Sequence, residues 1–444
     1  MRFRHLIPAV ALGLALALPQ AAAAAPPYAP GHVVVRYAAS STHHQRVAVE
    51  RATGTGRATP LPGGAREVQI EDGQSVATTV AQLRAQPHVG SVHPDYVLHA
   101  AGGYYPNDPG VGDPGDWRDL QWNFAGKYGI HAPQAWARMR ALNKDGGRGV
   151  IVAVIDSGVA YEDHGNFRRA PDLYRGRFVT GKDYVDGDAY PLDEDGHGTH
   201  VSGTIAEHVN NDKAVTGLAY GVRIMPVRVL DANGNGNGTT FARALRWATD
   251  HGADVINMSV EFDQSLRAND IPETISAMHY AYKHGVVLVG ASGNDGTNHL
   301  SYPARDRDAI AVGASTSHGC IARYSNHGDG LDVMAPGGGK DAKLKDNRWD
   351  ANHCYKGRDR AIYQQTLVDN PRDFHIVGYD GTSEAAPHVT AIAALVIASG
   401  VIGSHPSPSA VLRRIDDTAR DAGGPGYDKR YGHGIVSAAA AVGG

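Results

Sequence analysis

Tyr379-Asp380-Gly381-Thr382-Ser383-Glu384-Ala385-Ala386-Pro387-His388-Val389-Thr390, with the alanine-rich run that follows to Gly400, decides how the rest of the chain is read. The small and apolar residues after Ser383 suit a helix packed on all sides, and such a helix belongs inside a large core. Gly381 permits a sharp turn into it. A serine in the first turn lies beside unpaired backbone amides and the positive end of the macrodipole, where negative charge on a bound oxygen is stabilised. A Gly-x-Ser turn is also an ordinary loop. Its meaning depends on whether the chain supplies a base, a group to orient that base, and a second donor.

Working outward, Gly149 to Ile155 is a nearly continuous β-branched run ending at Asp156, the pattern of a strand buried on both faces. The same alternation continues through helix His197–His208, strand Arg223–Leu230, helix Thr240–His251, strand Ala253–Met258 and helix Pro272–His284. Strands Val286–Ala291, Ala309–Gly313 and Leu331–Met334 follow, and helix Ser407–Ala419 comes after the opening stretch. This predicts an α/β fold, a doubly wound parallel sheet with helices on both faces and functional residues at the carboxyl ends of its strands.

Before this region the chain has a different rhythm. Met1-Arg-Phe-Arg4, an apolar run of about a dozen residues and the small residues Ala21–Ala25 read as a secretory signal peptide over 1–24. Residues 25–103 alternate strand and helix (Gly31–Tyr37, Thr42–Arg51, Arg66–Ile70, Ser75–Gln86, Val89–Val97), as a small ferredoxin-like α+β unit would. The shift to Gly, Asp and Pro after Gly103 marks a boundary, leaving 104–444 as the large domain. The formal net charge of -4 and the absence of a Lys/Arg run argue against nucleic acid as a partner. No stretch predicts a membrane span, so a secreted product in the extracellular or envelope space is expected. In that oxidising setting Cys320 and Cys354 are expected to pair, two separate thiols being the alternative.

Polar residues break the apolar pattern at three element ends: Asp156, His197 in Gly196-His-Gly-Thr-His200-Val-Ser-Gly-Thr204, and Asn294 after Val287-Leu-Val-Gly-Ala-Ser-Gly293. Acyl transfer needs this set. A serine needs a base, His197 can serve near neutral pH, and Asp156 can fix the imidazole tautomer. Asn294 can offer its amide to the oxyanion alongside the Ser383 N–H, a contribution of about 3 kcal/mol. His200 and His388 read as structural histidines.

Asp156-Ser-Gly158, His197-Gly-Thr-His200, Ser292-Gly-Asn294 and Gly381-Thr-Ser383-x-Ala-Ala-Pro-His-Val389, in that order, resemble the subtilisin-like serine proteases from Asp108 to Val442. The resemblance implies an endopeptidase acting on protein or peptide substrates without an organic cofactor. It makes 25–103 an inhibitory propeptide cut near Leu98–Gly103. It places extended substrate against Ser259, Val260 and Glu261 on one side and Ala291, Ser292 and Gly293 on the other. Glu261 stands where the family usually has glycine; it either favours basic side chains or points to solvent. Glu384 is a second departure, since a small or apolar residue usually follows the serine. Its carboxylate either faces solvent, is held neutral, or meets a cation from the charged insertion 337–377.

The thermitase-like members of that family further imply structural Ca2+ at Asp108, Asp172 and Asn211, although Ala214 replaces a usual glycine in the loop. Asp183, Asp186 and Asp188 form a second hard-oxygen cluster. A solvated acidic loop is the alternative there, because Tyr190 and Leu192 replace later ligands. A processing protease of narrow range, its cleft limited by the insertion, shares every motif; so do an amidase or esterase and a catalytically silent binding module.

Overall fold

A computed structural model describes residues 28–96, 103–111, 116–343, 354–355 and 358–443. The signal peptide expected at 1–24 and most of the expected cut region lie outside them. The chain divides into two compact units, residues 1–100 and 101–444.

In the first unit, β1 (Tyr28–Tyr37), α1 (His43–Ala52), β2 (Thr55–Pro60), β3 (Ala65–Ile70), α2 (Val76–Arg84) and β4 (Val89–Tyr96) follow in the order βαββαβ. The antiparallel sheet runs β2-β3-β1-β4. Thr42 caps α1 and Gln45 returns a bond to the Thr42 N–H, a reciprocal capping box. Alternate residues Val33 and Val35 of β1, Val68 of β3 and Leu83 of α2 build the core. Strand β2 escapes sequence reading because Thr-Gly-Arg-Ala-Thr-Pro carries almost no apolar signal.

The second unit opens with α3 (Trp117–Leu120), α4 (Trp122–Ala125) and α5 (Ala132–Ala141). It continues with β5 (Ile151–Asp156), β6 (Lys182–Asp183), α6 (His197–Ala206), β7 (Arg223–Arg228), α7 (Gly238–Asp250), β8 (Val255–Met258), α8 (Pro272–Lys283) and β9 (Val287–Ala291). Then come β10 (Ala309–Ser315), β11 (Val333–Pro336), β12 (Ile362–Val368), β13 (Asn370–Tyr379), α9 (Thr382–Ser399), α10 (Pro408–Thr418) and α11 (Ala438–Val442). The main sheet has the order β11-β10-β9-β8-β5-β7-β6, and all its pairings are parallel. Successive side chains of β5 separate its two faces. Val152 and Val154 face the core built around α6 and α9, while Ala153 and Ile155 face α7 and α8. The strand order reverses at β5, between β7 and β8, which opens a crevice at their carboxyl ends.

Helix α9 is buried from Glu384 to Val396 and contacts β8, β9, β10 and β11 as well as α6. Such burial requires the alanines, whose side chains let the helix approach the sheet closely. Gly381 is needed for a different reason from the one its sequence suggests. Its backbone is extended, a conformation open to any residue, but an added Cβ would fall 2.8 Å from Ser383 Oγ and 2.4 Å from Glu384 Oε2.

The insertion also holds structure that its composition hides. β12 and β13 form an antiparallel hairpin, and Cys320 is bonded to Cys354 at the insertion's base.

Candidate active site

Asp156 ends β5 at full burial, and its Oδ1 accepts from His197 Nδ1 at 2.7 Å and from the Ser157 N–H at 2.7 Å. This fixes the imidazole so that Nε2 faces outward. The loop before α6 is held by a residue that the sequence reading missed. Asp193, fully buried, accepts from Ser157 Oγ, the amides of Asp195, Gly196 and Thr199, and Thr199 Oγ1. A carboxylate receiving so many donors in the turn before a helix start is a local signal, because Asp is the residue type that wraps such turns.

Ser383 is fixed through its own carbonyl. Pro387 has no N–H to return to the Ser383 carbonyl within the helix, and Ser259 Oγ supplies that bond at 2.7 Å. Asn257 Nδ2 donates in turn to Ser259 Oγ, and Thr390 Oγ1 donates to Asn257 Oδ1. The backbone of Ser383 is thereby tied to the end of β8.

Asn294 follows β9, and its Oδ1 accepts from the Thr382 N–H at 2.9 Å and Thr382 Oγ1 at 3.0 Å. With its oxygen committed, the Asn294 Nδ2 is the end of the amide left to donate elsewhere.

His197, Asn294 and Ser383 line one cleft of about 450 Å3 with Ser259, Val260, Glu261 and Ala291. Ser292 and Gly293 lie behind this wall: Ser292 Oγ bonds the Asn326 carbonyl and the Gly293 N–H bonds Thr382 Oγ1. Glu261 is exposed at the rim, where its Oε2 accepts the Asn294 N–H at 3.2 Å. Among the described residues, none from the insertion lines this cleft. The hairpin instead lies on α6, where His200 Nε2 donates to the carbonyls of Ile362 and Val377. Burial lowers the His200 pKa to about 3 and that of His388 to about 4, so both are neutral. His388 Nδ1 donates to the Glu384 carbonyl and its Nε2 accepts from Asn123 Nδ2.

Glu384 does not face solvent, and among the described residues it meets no cation of the insertion. It is buried, its Oε2 accepts Ser383 Oγ–H at 2.9 Å, and its Oε1 lies 3.8 Å from His197 Nε2. Burial raises its pKa, and the neighbouring His197 charge opposes that rise.

The two acidic clusters behave differently. Asp108 accepts from the amides of Asn210 and Asn211, and Asn211 Nδ2 reaches Asp172 Oδ1 at 2.6 Å. Asp172 Oδ2 and both carboxylate oxygens of buried Glu207, which the sequence reading did not include, have no hydrogen-bond partner. Burial raises Asp108 to about 6 and Asp172 to about 7. Buried oxygens without donors are a set that a hard cation such as Ca2+ fits. The loop beside them takes left-handed φ at Asn210, Asp212 and Ala214; Asn and Asp tolerate this and alanine does not readily.

Asp183, Asp186 and Asp188 do not converge on a shared point. Arg228, 2% exposed, enters the cluster with Nη1 at 3.1 Å from Asp183 and 2.7 Å from Asp186, and its Nη2 pairs with Glu194. The Asp188 carboxylate does not join them: its Oδ1 caps the Tyr190 amide, while its backbone carbonyl accepts the Asp183 N–H. A guanidinium occupies the place where a second Ca2+ was considered; Asp186 and Asp188 lie in an exposed acidic loop, and of the three Asp183 alone is buried.

Residues 147–434 match the Subtilase family of peptidases. The chain belongs to the subtilase family. It is 30% identical over 408 residues to the "Thermophilic serine proteinase" of a Bacillus species, covering 91% of this chain and 86% of that one. It is 33% identical over 402 residues to the "Extracellular protease" of Xanthomonas campestris, covering 84% and 62% of the two chains. Among solved structures, it resembles proteases from Pseudoalteromonas arctica with TM-score 0.60 and 30% identity, over 76% of this chain and 98% of that one. This subtilase is a serine-type endopeptidase, as the family and its named serine proteinases show. No helix of its described residues is long and apolar enough to cross a membrane.

Arg228 should therefore be structural. Arg228→Met leaves Asp183 buried and unpaired and is expected to cost about 3–5 kcal/mol. Urea unfolding in a Ser383→Ala background, used to prevent self-digestion, measures this. Adding Asp183→Asn should restore part of the loss.

Proposed function

We propose that this subtilase is a secreted endopeptidase made as a preproenzyme. Ser383 is its nucleophile, His197 its general base, Asp156 the group that orients His197, and Asn294 an oxyanion donor. The observation that carries the reading is the 2.7 Å bond from His197 Nδ1 to Asp156 in the cleft shared with Ser383 and Asn294.

As Ser383 Oγ bonds to the peptide carbonyl carbon, its proton passes to His197 Nε2, and Asp156 stabilises the imidazolium that forms. The carbonyl oxygen takes up the electron pair as an oxyanion, held by Asn294 Nδ2–H and the Ser383 N–H. The C–N bond then breaks, Nε2 gives its proton to the departing amine, and an acyl-enzyme remains. Water attacks the ester with His197 again taking the proton, and Ser383 leaves as the hydroxyl.

In this reading residues 25–103 are the inhibitory propeptide, removed near 98–103. The extracellular relative supports secretion and removal of residues 1–24. Open access to the cleft, with no described insertion residue on its wall, favours a broad endopeptidase over a narrow processing enzyme. Asp108, Asp172 and Asn211 would hold a structural Ca2+, with Glu207 adding charge nearby. Ca2+ there supplies positive charge that these buried carboxylates lack, and no chemical step passes through it.

An active-serine phosphonate should label the wild type and not Ser383→Ala; equal labelling of both would remove Ser383 from the reaction. Asn294→Ala should lower kcat by about 100- to 1000-fold with a much smaller change in KM. Chelation should lower Tm at pH 8, and less at pH 5, where protons neutralise the Asp108 and Asp172 carboxylates; unchanged melting at pH 8 would eliminate the site. In peptide-library cleavage, Glu261 should confer a preference for Lys or Arg that Glu261→Gly abolishes, and a profile the two enzymes share would make Glu261 a solvated rim residue.

A further inference from the structure

His197 lies between two carboxylates. Asp156 Oδ1 is 2.7 Å from Nδ1 on one side, and Glu384 Oε1 is 3.8 Å from Nε2 on the other. The Glu384 carboxyl is only 2% exposed. Among the described residues, His197 is the one cation within ion-pair distance of it. Among the described residues, the remaining titratable groups that face this pair do not supply positive charge. Asp195 lies before α6, burial and the Glu384 charge oppose ionisation of the Tyr324 and Tyr379 hydroxyls, and His200 and His388 are neutral.

Two consequences follow from these distances. A carboxylate near Nε2 favours the protonated ring, because opposite charges a few ångströms apart attract strongly where water is scarce. Ser383 Oγ–H is also turned toward Glu384 Oε2, away from the nitrogen that must accept its proton. In keeping with this, the attraction of Asp156 and Glu384 outweighs burial, which alone would lower the value, and His197 is pushed up to about 10.

We propose that Glu384 is a positioning residue that sets the pH at which the site becomes competent: it pairs with the His197 imidazolium and holds the Ser383 hydroxyl away from Nε2 until that nitrogen loses its proton. This rests on the reading of Ser383 as nucleophile and His197 as base. When the Nε2 proton leaves to solvent, the ion pair is lost and the Ser383 hydroxyl turns from Oε2 to the free lone pair of Nε2. Attack on the substrate then moves the Oγ proton to Nε2 and regenerates an imidazolium between the two carboxylates. Glu384 accepts no proton in the cycle.

The test is the pH dependence of phosphonate labelling at Ser383 and of kcat/KM for a peptide amide, in the purified enzyme and in Glu384→Gln. The glutamine keeps the shape and an oxygen acceptor for Ser383 Oγ–H but removes the charge; Glu384→Met, an apolar replacement, serves if the glutamine variant folds poorly. The midpoint of the acid limb should fall by at least about one pH unit in both measurements, which is a tenfold or greater gain below the wild-type midpoint. A midpoint equal to that of the wild type would overturn the proposal, as would a uniform loss at every pH. If the wild type itself neither labels nor cleaves, the assignment of nucleophile and base fails first, and the proposal falls with it.

Discussion

The Ser383 carbonyl has no partner within its own helix, and much of the site depends on that. Pro387 removes the N–H that would have closed the first turn of α9, and Ser259 Oγ takes its place from the end of β8. The bond belongs to a relay in which Asn257 and Thr390 keep Ser259 oriented from within the sheet and from the same helix. A proline inside a helix ordinarily costs stability. Here the freed carbonyl becomes the point at which the serine turn is bolted to the sheet, so Ser383 is placed by the core rather than by a loop.

Charge is managed in three ways around this framework, and each depends on what can reach a buried carboxylate. Asp193 is surrounded by backbone amides and hydroxyls, so hydrogen bonds suffice. Asp183 has a buried guanidinium, whose fork serves several acids at once. Asp172 has a donor for only one oxygen, and its Oδ2 and both Glu207 oxygens are unpartnered, which is the reason an external cation is invoked there. Glu384 is a fourth case, since its counter-charge is a histidine that can give its proton away.

Most of the parallel sheet was legible because strands buried on both faces are continuous apolar runs with β-branched residues, and β5, β8 and β9 lie within a residue or two of their expected bounds. Polar residues at the ends of elements are equally conspicuous, which is why Asp156, His197 and Asn294 could be singled out. The two-residue β6 and the hairpin β12–β13 were not legible. The hairpin's Asn-Pro-Arg-Asp segment is polar and mostly exposed, and an isolated two-stranded hairpin needs packing such as the His200 contacts from α6 provide. Glu384 was visible as an oddity but its direction was not. In a helix first turn a carboxylate can point along the axis or out to water, and its direction here goes with contacts to Ser383 Oγ and His197 Nε2 and with the space left by Gly381, none of which the residue pattern reveals.

The hairpin also ties parts of the molecule that the sequence leaves separate. Thr366 Oγ1 bonds the Gly196 carbonyl immediately before His197, while the adjacent Gln365 Oε1 accepts the Asp172 N–H at 2.9 Å. Gln364 reaches the Thr216 carbonyl, close to the loop that carries Asn211. One strand of the insertion therefore touches both the turn that presents His197 and the residues around the unpaired Asp172 and Glu207 oxygens. All three contacts join a β12 side chain to a backbone group of another segment. The turn before His197 and the surroundings of that cluster therefore share one strand as a support.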